Sequence, residues 1–253
     1  MKLIIEKSVI VITPTIGSPK LADAIESVQR QTYGNLEHLV VVDGYDYEDA
    51  TNEAFRSAWQ RFPDGNLKTT RAMVLPFNTG KTGGNFYGHR IYAGVPHFLN
   101  ADYIFLLDED NWYEPDHVKT LVEVLERGND FAYSFRKIYS PDKTYIADDN
   151  CEALGQWPIY FSHDDPQYLV DTSSFAFNTK FLQKTCHFWH SGWGGDRKYL
   201  YSVLAQNPKW DTSYKHTLCY RTDANPNSPD ADFFIKGNEQ QLEHYEGKLP
   251  WLI

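Results

Sequence analysis

SVIVITPTIGSPKLADAIESVQRQTYGNLEHLVVVDG, residues 8–44, contains a strand, a helix and a second strand in succession. Residues 8–13 are an unbroken β-branched apolar run ended by Pro14, the pattern of a strand buried on both faces of a parallel sheet. Ser18 can cap a helix with Pro19 in its first turn, and Leu21, Ala24, Ile25 and Val28 recur at helical spacing up to about Arg30. LEHLVVVD, 36–43, is the next strand. The same alternation continues through a polar helix at about 47–61, a strand at 70–75, a Gly-rich loop, a helix near 85–99 and the strand YIFLL at 103–107. Strands alternating with helices specify an α/β fold with a mostly parallel sheet, whose ligands lie beyond the carboxyl ends of the strands.

After a helix from Pro115 to about Arg127 the alternation stops. Residues 131–177 read as longer, paired strands (FAYSFRKIYS, KTYIAD, QYLVDTSSFAFN) of antiparallel character, followed by short helices near 178–187 and 195–205 and a strand near 215–221. The last residues carry Pro226, Pro229 and Pro250 and have no clear period. The expected layout is one domain, with a first half at 1–128, a second half at 129–225 and a tail at 226–253.

Composition narrows the partners. The chain of 253 residues has 24 Lys+Arg against 34 Asp+Glu, a net charge of −10, and no basic cluster, which argues against nucleic acid or an anionic membrane as the main ligand. An apolar fraction of 42% supports a sizeable core. Cys151, Cys186 and Cys219 form no CxxC and cannot all pair, which fits a reducing compartment, the cytosol. The opening apolar stretch is broken by Glu6 and Lys7 and reads as strand, not signal peptide. No apolar run approaches the roughly 18 residues of a membrane span.

Asp108-Glu109-Asp110-Asn111 stands at the carboxyl end of an apolar strand, where such folds place ligands. Carboxylates two apart can converge on one hard cation, and Mg²⁺ or Mn²⁺ held by one or two carboxylates keeps positions free for phosphate oxygens. The alternative is a solvated turn before the helix at Pro115. Gly80-Lys81-Thr82-Gly83-Gly84 follows a strand but is no phosphate loop of the Walker type, because the glycine required five residues before Gly80 is Leu75. No G-x-G-x-x-G follows the first strand. Cys186-His187-x-x-His190 lacks a second ligand pair and reads as a helix end, not a zinc site.

These motifs together resemble the GT-A fold glycosyltransferases, in particular the family-2 type that uses nucleotide-diphosphate sugars. The resemblance covers roughly 8–222 and rests on VIVITPT, ESVQRQTYGNLE, Val40-Val41-Val42-Asp43-Gly44, Asn78-Thr79-Gly80 and Asp108-Glu109-Asp110. It implies a Rossmann-like sheet with a smaller antiparallel part, 1–128 being the nucleotide-sugar-binding half and 129–225 the acceptor half. Pro14, Thr15 and Ile16 would line the nucleobase pocket, and Asp43, otherwise a turn residue, would accept from a uracil N–H. Asp108 would approach the sugar or ribose, Asp110 would ligate the metal, and Glu109 between them would point away. Asn78, Gly80, Lys81, His89 and Arg90 would meet the diphosphate. Asn111 departs from the commoner Asp-Ser-Asp-Asp.

In the second half, Trp193-Gly194-Gly195-Asp196 matches the segment that carries the acceptor-activating carboxylate, usually Glu-Asp, with Gly195 in place of the Glu. Asp196 is the expected base, a role compatible with helix capping, with Asp171 and Glu152 as the alternatives. Trp193 is the expected sugar contact and His216 a further metal ligand, against a purely structural role. The implied activity is metal-dependent transfer of a sugar from a nucleotide donor, a UDP-sugar by the Asp43 argument, to a glycan or other hydroxyl acceptor, with inversion by analogy. A carboxylate-pair hydrolase and a non-catalytic glycan-binding protein are the rival readings. The sugar, acceptor, linkage and oligomeric state are not encoded in any motif found.

Overall fold

A computed structural model describes residues 6–62, 68–82, 84–222 and 228–252; Gly83 and Pro226 lie outside them. The strands are β1 (Val9–Thr15), β2 (Leu36–Val42), β3 (Thr69–Val74), β4 (Tyr103–Leu106), β5 (Trp112–Tyr113), β6 (Phe131–Tyr139), β7 (Tyr145–Asp148), β8 (Phe175–Asn178) and β9 (Trp210–Arg221). The helices are α1 (Leu21–Gln29), α2 (Glu48–Gln60), α3 (His89–Gly94), α4 (His117–Leu125), α5 (Thr179–Thr185), α6 (Gly195–Leu204) and α7 (Ala231–His244).

Among the described residues all nine strands join one sheet in the order β3-β2-β1-β4-β8-β6-β9-β5, with β7 beside β6. β1 pairs in parallel with β2 and β4, and β2 with β3. β8 then runs antiparallel to both β4 and β6, which makes the second half mixed. The chain winds outward from β1 in both directions, so the β1/β4 junction is the switch point where the crevice opens. Every residue of β4 is buried, as its apolar run requires, whereas β3 at the edge is largely exposed. One core cluster packs α1, α2 and α4 on one face of the sheet, and a second packs α3, α5 and α6 on the other.

The Gln-Thr-Tyr segment has a structural role. The Gln31 side chain donates to the Glu114 carbonyl (2.8 Å) and accepts from the Val118 amide (2.9 Å), satisfying a donor at the start of α4 that has no helical partner. Thr32 N donates to the Pro115 carbonyl and Tyr33 Oη to that of Lys7. The segment 114–118, which follows the acidic turn and opens α4, is therefore tied to the residues just after α1.

Several boundaries differ from expectation. The helix expected at 85–99 is the short α3 followed by a 3₁₀ turn at Val95–Phe98, where Pro96 and two flanking glycines of low helix propensity interrupt it. QYLVDTSSFAFN supplies only the four residues of β8, because the Asp171 carboxylate accepts from Ser173 N and winds 172–174 into a 3₁₀ turn. α1 begins at Leu21, with Ser18 Oγ accepting from Lys20 N just before it. The described part of the tail packs on the rest of the chain: Phe234 of α7 and Trp251 are fully buried, and Trp251 Nε1 donates to Asn150.

Candidate active site

A cleft of about 430 Å³ opens at the carboxyl ends of β1, β2 and β4, within the range typical of small-molecule sites. Its walls bring together Pro14, Thr15, Ile16, Asp43, His89, Asp108, Glu109, Asp110, Trp193 and Asp196, residues separated by up to 182 positions in the chain.

The acidic turn after β4 is built around Ser173, whose hydroxyl accepts from Asp108 N (3.0 Å) and from the Asn111 side chain (3.3 Å). Tyr92 Oη donates to Asp108 Oδ1 at 2.8 Å. Burial, and then the neighbouring charges of Asp110 and Asp171, push the Asp108 carboxyl up to about 8. Burial also raises Asp110, although Lys20 opposes it. Glu109 does not turn away from the cleft. It accepts from Thr15 Oγ1 and Ser18 N (3.0 Å), so it fixes the loop that follows β1. Asn111 is buried and uses both ends of its amide: its Oδ1 accepts from Arg221 N (3.2 Å) while its Nδ2 reaches Ser173. An ionised aspartate could not donate to Ser173, whose own hydroxyl proton is directed at Asp108 Oδ2 (3.3 Å).

Asp43 is buried at the end of β2, its two oxygens accepting from Thr79 N (2.7 Å) and Gly80 N (3.0 Å). It thus holds the 78–80 loop, and each oxygen retains a second lone pair. Asn78, Gly80, Lys81 and Arg90 are not on the cleft wall. Asn78 caps Lys81 N, Lys81 Nζ donates to Tyr47 Oη, and Arg90 donates to the Thr79 carbonyl while lying on the Phe86 ring. These residues brace the loop against itself.

Asp196 sits in the first turn of α6, one residue inside the helix, with Gly194 at the cap. Its Oδ1 accepts from Arg197 N (2.7 Å). Burial raises its carboxyl, with Asp171 adding repulsion. The His89 ring lies against the start of α6, its Nδ1 2.8 Å from the Ser191 carbonyl. A Cβ on Gly195 would fall 2.4 Å from His89 Cε1, so His89 occupies the space a side chain there would need. Trp193 is 69% exposed at the rim.

His216 is not brought to the cleft. It lies on β9 against the Phe135 ring, 4.0 Å from Asp148. Paired with Phe135 in the sheet, its side chain packs at the strand instead of reaching Asp110. Among the described residues no three His, Cys, Asp or Glu side chains form a metal cage. Buried, mutually repelling carboxylates are nonetheless hard oxygen donors in need of positive charge, and they fit a Mg²⁺ or Mn²⁺ ion that takes its remaining ligands from water and substrate phosphate.

Sequence patterns missed Arg136, Tyr220, Ser228 and Pro229 of the wall. Arg136 on β6 is buried and ion-paired to Asp149, Glu152 and Asp171, and it lines the cleft with Glu152 and Asp171, the two residues expected as alternative bases. A lone arginine inside the apolar run FAYSFRKIY was the available signal.

Comparison with known proteins agrees with this geometry. The family described as Glycosyl transferase family 2 matches residues 8–204. A dTDP-rhamnosyl transferase RfbG of Shigella flexneri is 27% identical over 175 residues, 64% of this chain and 56% of that protein. An uncharacterized protein of Haemophilus influenzae is 26% identical over 114 residues, 38% of this chain and 76% of its own length. Among solved structures, S. aureus TarS 1–349 in complex with UDP superposes with a TM-score of 0.59 at 13% identity, over 85% of this chain and 60% of that one. The complex with UDP-GlcNAc gives 0.59 over 86% and 59%. These structures establish the fold, and the chain spans little more than half the length of RfbG and TarS. No helix among the described residues is long and apolar enough to cross a membrane. The match covers β1 to β8 and the acidic turn after β4, and by it the chain belongs to glycosyl transferase family 2.

Proposed function

We propose that this cleft takes a UDP-sugar and transfers its sugar, with inversion, to a hydroxyl acceptor. The observation that carries the reading is the convergence of Asp43, Asp108–Asp110 and Asp196 on one cavity from the ends of β2 and β4 and the start of α6. Pro14, Thr15 and Ile16, braced by Glu109, form the wall for the base, and the spare lone pairs of Asp43 face a ring N–H of uracil. Binding of UDP by the similar TarS supports that choice of base. Asp110 would hold Mn²⁺ or Mg²⁺, which when bound neutralises the diphosphate and eases its departure.

The rest is done by the protein. Asp108, held by Tyr92 and Ser173, presents a fixed oxygen to the sugar. Asp196 takes the proton from the acceptor hydroxyl as that oxygen forms its bond to the anomeric carbon and the bond to the diphosphate oxygen breaks. Trp193 offers a ring face to the sugar at the rim.

Asp196→Asn keeps shape and hydrogen bonding but removes the base, so donor turnover should fall by roughly 10²–10⁴-fold while UDP affinity holds. Slow donor hydrolysis, with water as acceptor, provides the assay. Turnover at the wild-type rate would remove Asp196 from the reaction, and an equal loss of UDP binding would make it part of the donor pocket.

A further inference from the structure

Among the described residues lining the cleft, Arg136 is the one Lys or Arg that is wholly enclosed, its side chain 3% exposed. Its Nε donates to Asp149 (2.8 Å), its Nη1 to Asp171 (2.8 Å) and its Nη2 to Glu152. The Tyr220 and Phe234 rings cover the guanidinium at 4.6 and 5.3 Å. All of its charge is therefore spent inside the protein. Asp149 is compensated further by the amides of Cys151, Glu152 and Ala153, and it points inward. Glu152 and Asp171 face the cleft, beside Asp196.

One positive charge against three leaves an excess of negative charge on this wall, and Asp196 adds to it. Arg197 is the one other Lys or Arg among the described residues lining the cleft. The opposite wall is acidic too, with Asp43, Asp108, Glu109 and Asp110. A diphosphate can enter there in company with a divalent cation. Beside Arg136, the acceptor half sets only Arg197, among the described lining residues, against the carboxylates of Glu152, Asp171 and Asp196, and a second anion entering a partly buried site with an acidic excess is repelled. Ionised carboxylates are pure hydrogen-bond acceptors and suit the O–H groups of a sugar, while Trp193 suits its C–H face.

We propose that the acceptor is an uncharged sugar, and that Glu152 and Asp171, presented by Arg136, accept hydrogen bonds from its hydroxyls and exclude phosphorylated or carboxylated acceptors. The inference rests on the transferase reading above and names the substrate class of the same cleft.

The test measures UDP release from UDP-sugars with methyl glycosides as acceptors, against the matching sugar 6-phosphates. The expected kcat/KM is at least roughly tenfold higher for the uncharged sugars at low salt. The gap should narrow in about 1 M salt, where the screening length is ~3 Å. It should narrow as well in Glu152→Gln; the salt arm uses the wild-type enzyme and does not depend on that variant folding. Phosphorylated acceptors used as well as their parents, or a preference for uncharged sugars that salt leaves unchanged, would overturn the proposal. Either result, with UDP binding and basal donor hydrolysis intact, would leave the transferase reading standing. Loss of both would overturn the donor reading and this inference with it.

Discussion

At the scale of single residues, the cleft is set by which side chains have their hydrogen bonds already committed. Asp43 and Glu109 serve the backbone as much as any ligand, whereas Asp110 and Asp196 present carboxylates to the cavity with few protein partners. Gly195 matters through absence of a side chain. Gly195→Ala would place a methyl group 2.4 and 2.5 Å from His89 Cε1 and Nδ1 and force apart the ring and the first turn of α6. The expected cost is about 1–3 kcal/mol of stability. Donor turnover should fall by up to roughly 10²-fold as Asp196 shifts, with UDP affinity nearly kept. Thermal unfolding and turnover of this variant at wild-type values would contradict the contact. The acids at 108–110 were legible in the sequence because they interrupt an apolar strand at its end. The tripod on Arg136 was not, since Asp149, Glu152 and Asp171 come from an irregular stretch whose spacing has no period and meet only in three dimensions.

At the scale of elements, the parallel half was readable because each strand is a continuous apolar run and each helix shows its buried stripe. In α1, burying Leu21, Ile25 and Val28 contributes roughly 1.5–3 kcal/mol each. The antiparallel half was harder: β6 pairs with three other strands, so sequence neighbours are poor guides to its partners. Two elements also bury a histidine. His38 of β2 bonds Thr13 Oγ1 (2.9 Å), and His117 of α4 bonds Thr217 Oγ1 (2.9 Å) and stacks on Tyr113. Burial lowers both to about 3. A histidine depressed in the fold contributes stability that is fully present above its unfolded value of about 6.5 and is lost as pH falls below it. At pH 5 the loss is about 2 kcal/mol for each. Asp108, held near 8, acts in the opposite sense, so the informative quantity is a difference between proteins. Urea unfolding at pH 7.5 and at pH 5 should show the acid loss reduced by about 2 kcal/mol in His38→Gln relative to wild type. An identical loss in both would show that His38 is not buried neutral.

At the scale of the whole molecule, an acidic chain presents an acidic cleft at the switch point of its sheet, and the proposed donor is itself an anion. A diphosphate should bind there only together with a cation at Asp110, because without it the anion meets the Glu109 and Asp110 carboxylates with no metal charge between them. The acceptor wall, already negative, deepens the same requirement. Titration calorimetry of UDP with Mn²⁺ and then with EDTA, on the wild-type protein and on Asp110→Asn, tests this most directly. The expected result is UDP binding in Mn²⁺ that weakens at least roughly tenfold, about 1.4 kcal/mol, in EDTA, with the metal-dependent part absent from Asp110→Asn. UDP bound equally well with and without metal, or a metal effect undiminished in the variant, would contradict it.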